Sequence, residues 1–173
     1  IQKNKSNYNF ELNSSLPQTD TSVIVLKGII DSQNDSNYLS LNPSSYLIID
    51  NRKWDIQTEI LKTEKITELK NFEIKSKDQF VQARAFIDEN NQLIDLLFNQ
   101  TSLSIINPYL DQNGFNIQGL INGNAHFESR DKKQTLFSSE LSFKDIFIND
   151  YNVGNGDLIT NWNPATDKVH VNM

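Results

Sequence analysis

Phe115-Asn-Ile117-Gln-Gly119-Leu-Ile121-Asn-Gly123-Asn-Ala125-His-Phe127 is the stretch whose pattern decides the fold. Every odd position in it is apolar or glycine. The even positions from Asn116 to Glu128 are polar, Leu120 excepted. A strand turns alternate side chains to opposite faces, so this pattern predicts one apolar face and one wet face. Thirteen residues span about 43 Å if straight, which is long for one strand. Gly119 or Gly123 therefore marks a bulge or bend.

The same period recurs outward from this segment. Val23 to Ile30, Tyr46 to Asp50, Phe72 to Ile74 and Val81 to Ile87 read as strands, as does Leu93 to Phe98. Towards the end, Leu141 to Phe143, Ile146 to Ile148, Leu158 to Trp162 and Val169 to Val171 fit the same template. The links Asp31–Asp35, Asp88–Asn91, Asn149-Asp150, Gly154–Gly156 and Asn163-Pro164 carry turn chemistry. Helix is sparse. Ser102 to Leu110 can form a turn or two before Pro108 limits it, and Asp55 to Thr63 is a second helical candidate. Many strands joined by short links imply an all-β, mainly antiparallel fold with one or two short helices.

The chain has 173 residues, enough for one β-rich unit, here read as 1–173. It begins at Ile1 and stops at Met173 inside an alternating segment, which reads as a piece of a longer repetitive β protein. The net charge is -6 and the basic residues are scattered. That pattern argues against nucleic acid and against an anionic membrane surface as partners. With no cysteine there are no disulfides or thiolate metal sites.

The chemistry-bearing residue types are not arranged as sites. His126 and His170 both fall opposite the apolar positions of their strands, without a second ligand at metal spacing. No Gly-x-Ser-x-Gly elbow is present, and Gly154-x-Gly156 lacks the rest of a dinucleotide fingerprint. Asp145, Asp150 and Asp157 match no calcium loop. No catalytic constellation, cofactor or metal is therefore expected, and the expected function is not enzymatic. What remains is the apolar face. It is either the inner layer of a closed β-sandwich or a groove left open to an apolar ligand, and both give the same alternation. The two glycines favour the groove, because they leave room at the sheet surface. The groove-lining candidates are Val81, Ala83, Ala85, Ile87, Phe115, Ile117, Ile121, Ala125 and Phe127, followed by Leu141, Phe143, Val169 and Val171. In a sandwich, the edge strands would instead bind protein partners by strand addition, giving an adhesion or scaffold module.

The order of features from Trp54 onward resembles TamB-type proteins of the AsmA-like group, in their Bacteroidota-like form. It is carried by Trp54-Asp-Ile56, Asn71 to Ile74, Gln79 to Ala83, Leu93 to Asn99 and Leu103 to Leu110. The glycine-punctuated Ile117 to Ala125, Leu141 to Asp150, and Val153 to Asn163 complete it. The first 50 residues match only in texture. Ala85 stands where such sequences often carry glycine, and Arg84 and His126 are charged or titratable in a sheet meant to meet lipid. The resemblance implies a taco-like sheet curled around a hydrophobic trough. It also implies a periplasmic bridge, anchored in the inner membrane and reaching towards the outer membrane. Such proteins handle phospholipid or fatty acyl chains, and work in outer-membrane protein assembly with a TamA-like barrel partner. An excised open sheet is further expected to self-associate through its bare edges and apolar surface.

Overall fold

The computed structural model of the chain describes residues 5–15, 23–33, 35–49, 51–110, 114–131, 134–163 and 168–172. Among the described residues, thirteen strands form one antiparallel sheet. They are β1 (Lys5–Ser15), β2 (Val23–Gln33), β3 (Ser36–Leu41), β4 (Tyr46–Ile49), β5 (Arg52–Gln57) and β6 (Glu59–Thr63). Then follow β7 (Thr67–Ser76), β8 (Gln79–Ile87), β9 (Gln92–Ser102), β10 (Ile117–Arg130), β11 (Gln134–Ile148), β12 (Tyr151–Asn163) and β13 (Lys168–Asn172). A 3-10 turn (Leu103–Ile106) and one turn of helix α1 (Asn107–Leu110) link β9 to β10, where the sequence predicts helix. Asp55 to Thr63 is not helical. It forms β5 and β6, because Trp54 and Ile56 alternate into the buried face.

The connectivity is a plain meander. β3 and β4 lie end to end along β2, the first paired with Gly28–Gln33 and the second with Val23–Val25. β5 and β6 lie end to end in the same way, both along β7. The thirteen strands therefore make eleven rungs, each hydrogen-bonded to its neighbours in sequence. The interruption at Asn42–Ser45 is tied back to the sheet. Ser45 Oγ accepts from Lys27 N–H at 2.9 Å and donates to Lys27 O at 2.9 Å.

The sheet is curled but does not close into a barrel. Bulges supply the bend. Register shifts place an extra residue in β7 between Leu69 and Phe72, in β9 between Phe98 and Thr101, and in β11 between Phe143 and Phe147. An extra residue on one strand bends it and adds twist. Two bulges share one device. Gln100 and Asp145 have φ of 44° and 52°, and each backbone N–H donates to an asparagine on the next strand. The acceptors are Asn122 Oδ1 at 2.6 Å and Asn155 Oδ1 at 2.7 Å. A donor that the ladder has skipped is thus satisfied. The end of β10 is sealed similarly. Asn107 accepts from Ile117 N–H at 2.9 Å and donates to Ile117 O at 3.0 Å, standing in for a strand neighbour.

The glycines of β10 mark irregularities, as the sequence predicts, but they do not leave open space. Gly119 (φ 121°) lies under Ile146, whose Cδ1 would be 2.5 Å from an added Cβ. Gly123 (φ 116°) faces the backbone of Glu140 and Leu141. The missing side chains make room for the neighbouring strand, not for a ligand. Gly123→Ala should therefore lower stability by about 2 kcal/mol or more, through clash and backbone strain together. Gly156→Ala, with nothing within 4 Å, should fall within about 0.5 kcal/mol of the parent. Urea unfolding of the two variants checks the contrast.

Candidate functional site

Register carries one face through the whole sheet. In one row across the strands, Tyr8, Ile30, Leu39, Ile60, Leu69, Ala85, Ile94, Phe127 and Phe137 are successive partners. A second row runs Ile56, Ile74, Val81, Phe98, Gly123, Leu141, Leu158. Between them lie Phe72, Ala83, Leu96, Ala125, Ser139 and Thr160. A fourth row holds Ile24, Leu47 and Trp54 at one end of the sheet, and Thr101, Ile121 and Phe143 at the other. Alternate residues sit about 6.8 Å apart along a strand and strands about 4.8 Å apart. The four rows overlap and together run from β1 to β12, an apolar band of roughly 20 Å by 45 Å.

The band has polar margins. At one side the next row is Ser32, Asn37, Lys62, Thr67, Ile87, Gln92, Ser129 and Thr135, polar but for Ile87. At the other, Arg52 donates to Gln79 Oε1 at 2.6 Å and lies over the Trp54 ring at 5.9 Å. Hydroxyls inside the band hide their polarity. Ser139 and Thr160 bond each other at 2.8 Å, Thr101 donates to Phe80 O, and Ser76 donates to Lys53 O. Satisfied hydroxyls of this kind cost little among apolar neighbours.

Among the described residues, no second sheet lies over this face. Among the described strand residues, every buried one except Val25 lies on it. Yet only Val25, Trp54, Ile56, Ile121 and Ile146 are buried apolar side chains. Ala83, Leu96, Ala125, Phe127, Leu141 and Phe143 are half-buried. The accessible surface is 11937 Å², against about 8,700 Å² for a compact protein of this mass. All thirteen strands belong to one sheet, so the face is not the inner layer of a two-sheet sandwich.

The predicted lining residues divide as follows. Val81, Ala83, Ala85, Ile121, Ala125, Phe127, Leu141 and Phe143 share the band, and Ile87 sits in its polar margin at 37% exposure. Phe115 precedes β10 and is 54% exposed, so it is not part of a strand face. Ile117 pairs with Ile148 beyond the Gly119 irregularity. Val169 and Val171 pair with Trp162 and Thr160 in the backbone ladder. Their side chains lie outside the described residues. Sequence reasoning missed Ile94, Leu96 and Phe98, because Leu93 to Phe98 is apolar on both faces. Asp95 was the available signal, since its parity marks the wet side. It also missed Ile146, which the bulge turns inward over Gly119.

The opposite face carries the charges. Arg84, Asp95 and His126 are successive partners on it. His126 Nδ1 lies 2.7 Å from Asp95 Oδ1, and its Nε2 lies 3.8 Å from Glu128 Oε2. Arg130 Nε donates to Glu128 Oε1 at 2.5 Å. A shallow furrow of about 310 Å³ crosses this face between Gln82, Arg84, Leu97, Asn124 and His126. Asp95, paired with His126, also lines it. Among the described residues, no group of three or more His, Cys, Asp or Glu is placed to hold a metal, and no helix is long and apolar enough to cross a membrane. No protein-family model, curated protein or solved structure matches the chain.

Carboxylates on the wet surface set an acid limit. Hydrogen bonding from Arg130 holds Glu128 below its usual range, and the Asn91 side chain with the Asn90 and Asn91 N–H groups does so for Asp88. A depressed folded pKa contributes stability above the unfolded value and loses it as pH falls through the folded one. The urea midpoint should therefore drop between about pH 5 and pH 3. The drop should be shallower in Glu128→Gln and Asp88→Asn, measured across the same pH range.

Proposed function

We propose that the chain is a segment of a bridge-like conduit that carries phospholipid or fatty acyl chains along its apolar band. The observation that supports this reading is the band itself. It is continuous from β1 to β12, half-covered, and bounded by polar margins. An acyl chain gains about 0.8 kcal/mol for each methylene removed from water. A band with the same chemistry at every rung offers that gain with small differences between neighbouring positions. A lipid held on it can slide, whereas one deep pocket would trap it. The headgroup stays in water beside the polar margin, where Lys62 and its neighbours in that row stand.

The resemblance to TamB-type, AsmA-like proteins agrees with this geometry and supplies the setting. On that reading the segment lies in the periplasm, within a protein anchored in the inner membrane. Its distal partner is a TamA-like outer-membrane barrel, and unfolded outer-membrane strands are a second apolar client for the same band. The work is binding and guidance, with no catalytic residue required.

The test uses a fluorescent fatty acid and native mass spectrometry of the purified protein. Lipid should co-purify or bind on addition. Ala125→Glu and Phe127→Glu, both at half-buried band positions, should reduce binding at least tenfold while circular dichroism stays β-rich. Asn124→Glu, on the wet face of the same strand, should bind as the parent does. A native protein that refuses lipid and dye at micromolar concentration overturns the conduit reading.

A further inference from the structure

We infer that an acyl chain on the band lies across it, parallel to the strands and with its headgroup at the Lys62 margin, so that the width of the band sets the chain length held best. The inference rests on the conduit reading and adds the pose and the length of the cargo.

The width is bounded within the chain. On the rung shared by β5 and β6 the band runs from Trp54 to Ile60, between Arg52 and Lys62. On β10 it runs from Ile121 to Phe127, between the Gly119 irregularity and Ser129. A rise of this many residues covers about 20 Å. A stretched alkyl chain advances about 1.25 Å per carbon, the projection of a ~1.52 Å bond at a ~111° angle. About 16 carbons therefore reach from one margin to the other. The long direction, about 45 Å, has no stop at that length.

Charge decides which margin takes the head. Outside the bulges, the charged strand residues described on this face are Arg52 and Lys62, and the strand carboxylates lie on the opposite face. Arg52 is engaged with Gln79 and the Trp54 ring. Lys62 is exposed and takes part in no ion pair of the described residues. A depression of about 380 Å³ opens beside it. Lys62, Thr67 and Ile87 line its inner side at the band's edge, and in the turns beyond, the carboxylates of Glu64, Asp88 and Glu89 outnumber Lys65. A cation inside and carboxylates outside match a headgroup whose phosphate comes first and whose amine comes last, the order in a zwitterionic phospholipid. A phosphate carried onto the apolar rows loses its water without a partner. The head therefore stays at this margin and the chain runs inward from it.

The check is displacement of a bound fluorescent fatty acid by lysophosphatidylethanolamines of about 10 to 22 carbons, a range that brackets the band's width. Affinity should rise about twofold for each added methylene, because a half-open face removes only part of it from water. The rise should stop near about 16 carbons. Thr67→Leu with Gln92→Leu makes, together with Ile87, a further apolar row across β7 to β9. That row adds about 6.8 Å and should move the break to about 21 carbons. Lys62→Glu should weaken the best-held chain about threefold. Lys144→Glu, the same charge change on the opposite face, should leave it as in the parent. Affinity that climbs without a break overturns the inference. So does a break that the double variant leaves in place, or a Lys62→Glu protein that binds as tightly as Lys144→Glu. Each of these outcomes leaves the conduit reading standing, whereas refusal of every chain length overturns both.

Discussion

Register is the constraint on which this sheet depends. Side chains alternate with a period of two, so a slip of one residue between any two rungs would turn the apolar set of every later strand into water. The ladder from β7 to β12 passes through bulges in β7, β9 and β11 and still returns Val81, Phe98 and Leu141 to one face. Each bulge adds one residue to one strand, and parity is then recovered relative to the neighbour. In β9, Phe98 and Thr101 differ by three positions, yet both point to the band because Gln100 takes a left-handed turn between them.

That kind of device employs four of the chain's 23 asparagines. Asn122 and Asn155 bind the bulge donors, Asn107 replaces a strand partner for Ile117, and Asn149 accepts from Asn116 N–H at 2.7 Å in closing the same end. An asparagine offers a donor and an acceptor on a short stem, which imitates a peptide group where the ladder has none. Asn149 and Asp150 also hold positive φ, at 45° and 68°, as a tight two-residue hairpin turn requires.

Strand parity was legible wherever polar and apolar residues alternated cleanly. Val81 to Ile87 and Ile121 to Phe127 were placed on one face from sequence, and the register gives the same face. The two-residue turn at Asn149-Asp150 and the helical link within Ser102 to Leu110 were legible for local reasons of backbone geometry. Asp55 to Thr63 was not, since its apolar residues fit two periods and only pairing with β7 settles them. The role of Gly119 and Gly123 was half legible. Their irregular backbone followed from the residue type, but the occupants of the vacated space, Ile146 and the Glu140 backbone, come from a strand over fifteen residues away. Nor was β1 assigned, because its partner residues on β2 lie beyond the undescribed segment 16–22.

A single-layer sheet answers differently to packing than a two-layer domain does. In a sandwich, each inner residue is locked by residues of the facing sheet, and volume must match to within a methylene. Here Ala83, Leu96 and Ala125 meet their neighbours along and across the strands, and their outward side remains half-open. Stability then rests chiefly on the ladder and on lateral contacts, with deep burial confined to a few points such as Trp54 and Ile121. On the proposed function, such a face would receive apolar atoms by displacing only water.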